Sequence, residues 1–234
     1  TQGPRASISA FPGTLVRHYA APAGDGSRFV QSEGRQLNLL EAALPARVGR
    51  VESGYLMTQG IPDLAAAAAS LTERFEEIRV GVHDGVEVAL GAGWDGAVSP
   101  GTRIAQVFTS TLAAGGYSTG SGEAAEEICR PLLRAAYLGT LLAAAGLGKH
   151  RVVLTMIGGG VFGNPHPLIW ESLGWALDQF CGVRIPNARD LWSPGRDVDP
   201  PDVTAFLRRQ ERIRSERPAE HGVQVLAWKA ARAR

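Results

Sequence analysis

Apolar residues recur at helical spacing in four places along the chain. Leu64, Ala68, Leu71, Phe75 and Ile78 form the first stripe, at intervals of three and four, behind Asp63 as a good N-cap. Leu132, Leu133, Ala136, Tyr137 and Leu141 form the second. Ser121 can cap that segment, Pro131 begins or kinks its main helix, and Gly146-Leu-Gly148 stops it. Ile169, Leu173, Ala176, Leu177 and Phe180 make the third, in a helix from about Pro165 to Cys181 with Asn164 as its N-cap. Asp199-Pro-Pro-Asp202 opens the fourth, which faces inward through Val203, Phe206, Leu207, Gln210 and Ile213. Its outer face mixes Arg208, Arg209, Arg212, Arg214 and Arg217 with Glu211 and Glu216, which reads as a solvated charged face.

Between these helices lie stretches of strand character. Gly13–Ala20 partly alternates apolar and polar positions. Arg79–Leu90 reads as a hairpin about His83-Asp84-Gly85, since Asp-Gly is a favoured two-residue turn. Ile104–Phe108 and Val152–Ile157 read as short buried strands, Val183–Ile185 as a short strand and Val223–Trp228 as the last one. Pro186–Pro201 reads as an irregular connection. Helices alternating with strands in this order predict a three-layer α/β/α fold with a mixed central sheet, in a single domain spanning 1–234.

The stretch with most chemical content is Val152–Pro165. A run of β-formers ends in Gly158-Gly159-Gly160, and Gly163-Asn164-Pro165 opens a helix. Backbone N–H groups and a helix N-terminus can hold a phosphate in that geometry. A tight strand-to-helix turn that needs glycine for its dihedrals and binds nothing is the alternative. A second loop, Thr109–Ser121, is full of hydroxyls and glycines and can offer neutral donors such as Ser110 and Thr111. Strands of one sheet would carry both loops to a common rim.

Composition narrows the field modestly. With 44% hydrophobic and 20% charged residues in 234, the chain has an ordinary globular balance. A net charge of +1 argues against a polyanion-binding surface, so nucleic acid is not expected as a partner. Only Lys149 and Lys229 are lysines, so the many arginines look like coding bias. Cys129 and Cys181 lack Cys or His neighbours at ligand spacing, which predicts no metal site, and no cofactor is expected. No apolar run reads as membrane-spanning, and a cytoplasmic protein is expected. His18, Asp25 and Asn38 are the first-half residues with useful chemistry; His166 lies near the start of the third helix.

The segment Leu133–Pro165, with its Gly-Gly-Gly-Val-Phe-Gly core, resembles the second half of a macrodomain, the ADP-ribose-binding module. The resemblance covers about a third of the chain and leaves 1–100 poorly matched. It implies a loop wrapping a diphosphate with backbone amides, with its aromatic residue beside the distal ribose. Gly158, Gly159, Gly160, Val161, Phe162, Gly163 and Asn164 are then the expected ligand contacts, with Ser110 and Thr111 from the preceding loop. Hydrolysis of a glycosidic bond at the distal ribose is the activity it suggests, with His18, Asp25 and Asn38 as catalytic candidates. The Asn-Ala-Ala-Asn segment of macrodomain hydrolases, the paired glutamates of poly(ADP-ribose) glycohydrolases and the zinc-binding Cys/His set are all missing. Action on another nucleoside or glycosylated small molecule, or a non-catalytic binding module, therefore stand as alternatives.

Overall fold

The computed structural model describes residues 15–16, 18–23, 25–32, 34–52, 54–89, 98–109, 111–113, 122–149, 151–160, 162–180, 190–193 and 225–227. These form two compact units of mixed helix and strand, an α/β chain in the broad sense.

The first unit comprises Thr1–Asn38, Glu52–Gly54 and Gly81–Phe108. Leu15, Val16, His18 and Tyr19 are helical in it, where a strand over Gly13–Ala20 is expected. The Ala20 N–H donates to the Val16 carbonyl at 2.8 Å, a bond that closes a helical turn and overrides the weak alternation. Strands β1 (Ala21–Pro22) and β2 (Arg28–Phe29) pair antiparallel around the Asp25 turn.

β5 (Gly81–Glu87) and β6 (Arg103–Phe108) form the main antiparallel ribbon of this unit. The expected hairpin at Asp84-Gly85 is absent. His83 pairs with Gln106 and Val86 with Ile104, so one extra residue is accommodated within a single continuous strand. Gly85 has φ 70, and a glycine of positive φ after Asp serves a bulge as well as a turn. The ribbon is also less buried than expected of Ile104–Phe108: Ile104 is exposed and only Gln106 of that strand is buried.

The second unit comprises Leu39–Val51, Tyr55–Val80 and Thr109–Arg234. Strand β3 (Val51–Glu52) stands at its boundary, and β4 (Tyr55–Leu56) lies within it. Its framework among the described residues is three helices: α1 (Leu64–Glu73), α2 (Glu123–Gly146) and α3 (His166–Phe180). The Asp63 carboxylate accepts from the Ala66 amide at 3.0 Å, the cap expected of it. The continuation to Ile78 is a short 3-10 turn, Phe75–Glu77.

α2 packs against both α1 and α3. It runs unbroken from Glu123 through Pro131, with Gly122 rather than Ser121 as N-cap. Pro131 brings no N–H for the Glu127 carbonyl, and tertiary packing offsets that loss. By length and composition α2 could cross a membrane, but here it is the core helix: Ile128, Leu132, Leu133, Tyr137 and Leu141 are all buried. Gly148, at φ 63, ends it as expected; its N–H donates to the Ala145 carbonyl and that of Lys149 to Ala144. On α3 the stripe Ile169, Leu173, Ala176, Leu177 and Phe180 is buried throughout.

Beside the helices lies a three-stranded parallel sheet in the order β7 (Arg151–Val153), β8 (Asp190–Ser193), β9 (Val225–Ala227). β8 falls in the span read as irregular, and β9 within the expected last strand. β7 is shorter and more exposed than the buried strand expected over Val152–Ile157: only Leu154 of that run is buried. As the edge of its sheet among the described strands, β7 has one partner instead of two. The expected strand Val183–Ile185 and the fourth helix lie outside the described residues.

Candidate glycine-loop site

The loop from Ile157 to Asn164 is built from beneath by α2 and α3. The Tyr137 hydroxyl, on the buried face of α2, donates to the Thr155 carbonyl at 2.8 Å and accepts from the Ile157 amide at 3.3 Å. Burial pushes its pKa up, so it is a neutral strut. The chain then turns through Gly158 at φ 75 and returns through Gly163 at φ 66, left-handed conformations that glycine adopts without a Cβ penalty.

Three of the loop's own amides close it. Gly159 donates to the Met156 carbonyl at 3.0 Å, Gly163 to Gly160 at 3.0 Å and Asn164 to Gly158 at 2.9 Å. Among the described residues the N–H groups of Gly158 and Gly160 have no acceptor, which leaves them as donors the loop does not spend on itself. A Cβ at Gly160 would meet nothing within 4 Å, whereas one at Gly159 would lie 3.0 Å from Ile169 Cδ1. Gly160 is the exposed tip; Gly158 lies against the Asn164 side chain and Gly159 rests on α3.

Asn164 does not cap α3. Its side chain turns inward and is 2% exposed, with Oδ1 accepting from Cys129 Sγ at 3.5 Å. Its Nδ2 is buried without an acceptor among the described residues and fills the space beside Gly158, where a Cβ would come within 2.1 Å of it. Pro165 instead supplies the carbonyl that accepts from Ile169 at 3.1 Å. A His166 ring nitrogen lies 3.2 Å from the Gly159 carbonyl, so that side chain also braces the loop. At its end the half-buried Phe162 ring meets Tyr55 of β4 edge to face, with centroids 5.8 Å apart.

The other candidates are placed differently. Val161 and Ser110 lie outside the described residues. Thr111 is buried beside Leu112, whose backbone bridges Leu56, and no hydrogen bond joins it to the glycine loop among the described residues. His18, Asp25 and Asn38 belong to the first unit. The Asp25 carboxylate accepts from the Ser27 hydroxyl at 2.6 Å and amide at 2.9 Å, which holds its pKa below the usual carboxylate value. It is a turn-forming carboxylate and a poor base. His18 is exposed and stacks edge-on with Tyr19. Among the described strands β6 and β7 belong to different sheets, where a common sheet is expected.

Sequence reading missed Tyr137, Cys129 and Tyr55 as supports of the loop. Tyr137 lay on the predicted inner stripe, but its hydroxyl was the overlooked signal: a buried phenol needs a partner. Cys129 and Tyr55 are 35 and 107 residues from their loop partners, and no local pattern pairs them.

Cys129 gives a pH test of this packing. Burial, with Glu126 nearby, pushes its thiol from 9.0 up to about 12. Above pH 9 the unfolded chain releases this proton while the folded chain keeps it. Stability is therefore fully present below pH 9 and falls as pH rises towards 12, by roughly 1.4 kcal/mol per pH unit for one retained proton. Urea midpoints at pH 8 and 10.5 should show the fall, and Cys129→Ala should reduce it. Tyr137 adds a loss of the same sign above pH 10. A pH-independent midpoint over that interval contradicts the buried thiol.

Compared with known proteins, the chain matches no protein-family model, no curated protein and no solved structure.

Proposed function

We propose that this chain binds ADP-ribose or a related nucleoside diphosphate on the loop Gly158–Asn164, within a divergent macrodomain-like α/β/α fold. The observation that carries the reading is the loop itself. Two left-handed glycines set a tight path between β7 and α3, and among the described residues the amides of Gly158 and Gly160 have no acceptor. Backbone donors in the loop that leads into a fifteen-residue helix suit a diphosphate, because they and the helix's positive end both favour negative charge. The resemblance of Leu133–Pro165 to a macrodomain agrees in the order strand, glycine loop, helix.

Binding without catalysis is the form of the proposal the residues favour. Two titratable groups beneath the loop, Tyr137 and Cys129, are held protonated by burial, and the His166 ring is engaged with the Gly159 carbonyl. Asp25 is stabilised as a carboxylate that holds a turn, and His18 is exposed against Tyr19.

Calorimetry with ADP-ribose, ADP, NAD and AMP tests it. Micromolar binding of ADP-ribose is expected, and Gly160→Glu should weaken it by about 100-fold, since a carboxylate facing a diphosphate costs several kcal/mol. The open space at Gly160 and its ordinary φ mean that this variant should melt within a few degrees of the native chain. No heat from the native chain with any of the four ligands sinks the proposal. Mass-shift assays on an ADP-ribosylated protein then separate binder from hydrolase.

A further inference from the structure

The contact between Tyr55 and Phe162 joins parts of the second unit that no sequence pattern connects. Tyr55 sits on β4 beside Leu56, which is fully buried. The Leu56 carbonyl accepts from the Ala113 amide at 3.0 Å, and its backbone bridges Leu112 in parallel. Tyr55 therefore stands on a fixed segment. Phe162 is carried by the loop, immediately before Gly163 at φ 66, and its ring lies at 73° to that of Tyr55. An edge-to-face pair of this kind restricts the tilt of the more loosely carried ring.

We propose that Tyr55 is a positioning residue for the ligand: it holds the Phe162 ring edge-on and so sets how that ring meets the sugar of a nucleoside diphosphate on the loop. The inference rests on the reading of the loop as a nucleotide site. Tyr55 acts through Phe162 and need not touch the ligand. The ring it orients follows Gly160, the exposed tip, by two residues, and among the described residues the N–H groups of Gly158 and Gly160 have no acceptor. A phosphate held on those amides would lie within a few residues of the loop's one aromatic side chain, Phe162.

A double-mutant cycle on ADP-ribose affinity tests this, using Tyr55→Leu, Phe162→Leu and the pair, with Tyr55→Phe as the conservative variant. Tyr55→Leu is expected to weaken binding about five- to tenfold in the native background and less than about twofold when Phe162 is already leucine. Tyr55→Phe keeps the edge-to-face contact and should stay within about twofold of the native chain. If Tyr55 were merely structural support, its loss would weaken binding equally in both backgrounds, which overturns the inference. So does a Tyr55→Leu chain that binds as the native chain does. An absence of binding by the native chain removes the nucleotide reading itself, and the inference falls with it.

Discussion

Replacing Gly158 by alanine is expected to cost roughly 2–5 kcal/mol of folding stability, read as a lowered urea midpoint. Two effects add. A residue with a Cβ at φ 75 occupies the left-handed region at a cost of about 1–2 kcal/mol. The new methyl would also stand 2.1 Å from Asn164 Nδ2 and 2.9 Å from its Cγ, and overpacking of this kind costs about 1–3 kcal/mol. The second effect depends on Asn164. In Gly158→Ala with Asn164→Ala the clash is gone, so the double variant should be more stable than the sum of the two losses predicts. Gly160→Ala is the contrast: with open space and no positive φ, it should leave stability unchanged or raised by about 0.4–1 kcal/mol. Equal losses at the two glycines contradict this geometry.

Ile169→Ala carries the second large effect. Ile169 is fully buried in the core of the second unit, and removing three carbons there should cost about 2–5 kcal/mol. Its position adds a local consequence. Ile169 Cδ1 lies against Gly159, at 3.0 Å from where a Cβ would be, so its loss opens a void under the loop. Leu71→Ala, at an equally buried site on α1, should cost a similar amount and leave the loop alone. Hydrogen exchange at the bonded amides of Gly159, Gly163 and Asn164 separates the two. At matched global stability, these amides should exchange faster in Ile169→Ala than in Leu71→Ala; equal rates would mean that α3 does not support the loop.

The helices of the second unit were legible because each buries a stripe that repeats every three or four residues. The inner faces of α2 and α3 were named residue by residue, and so was the Asp63 cap, because these features depend on neighbours within a few positions. Features set by distant partners were not legible. Asp84-Gly85 supplies the same positive φ to a turn and to a bulge, and only the partner strand β6 decides between them. Asn164 looked like a cap in its local context, but Cys129 on α2 gives its oxygen a donor and draws it inward. The run Val152–Ile157 has strand composition, yet among the described residues only Arg151–Val153 finds a paired neighbour, and Thr155 and Ile157 are bonded to Tyr137 instead. The position of the glycine loop was therefore readable, and the supports beneath it were not.

The loop's self-closure has a thermodynamic consequence. A mobile loop that orders around its ligand loses about 1–2 kcal/mol of backbone entropy for every residue it fixes. Here that cost falls on folding, because amides within the loop, a tyrosine hydroxyl and a buried asparagine already hold its path. On the proposed reading, an incoming ligand meets a preorganised surface and gives up chiefly its own freedom on docking. Ligand rigidity, rather than loop ordering, is then the main determinant of entropy loss at this position.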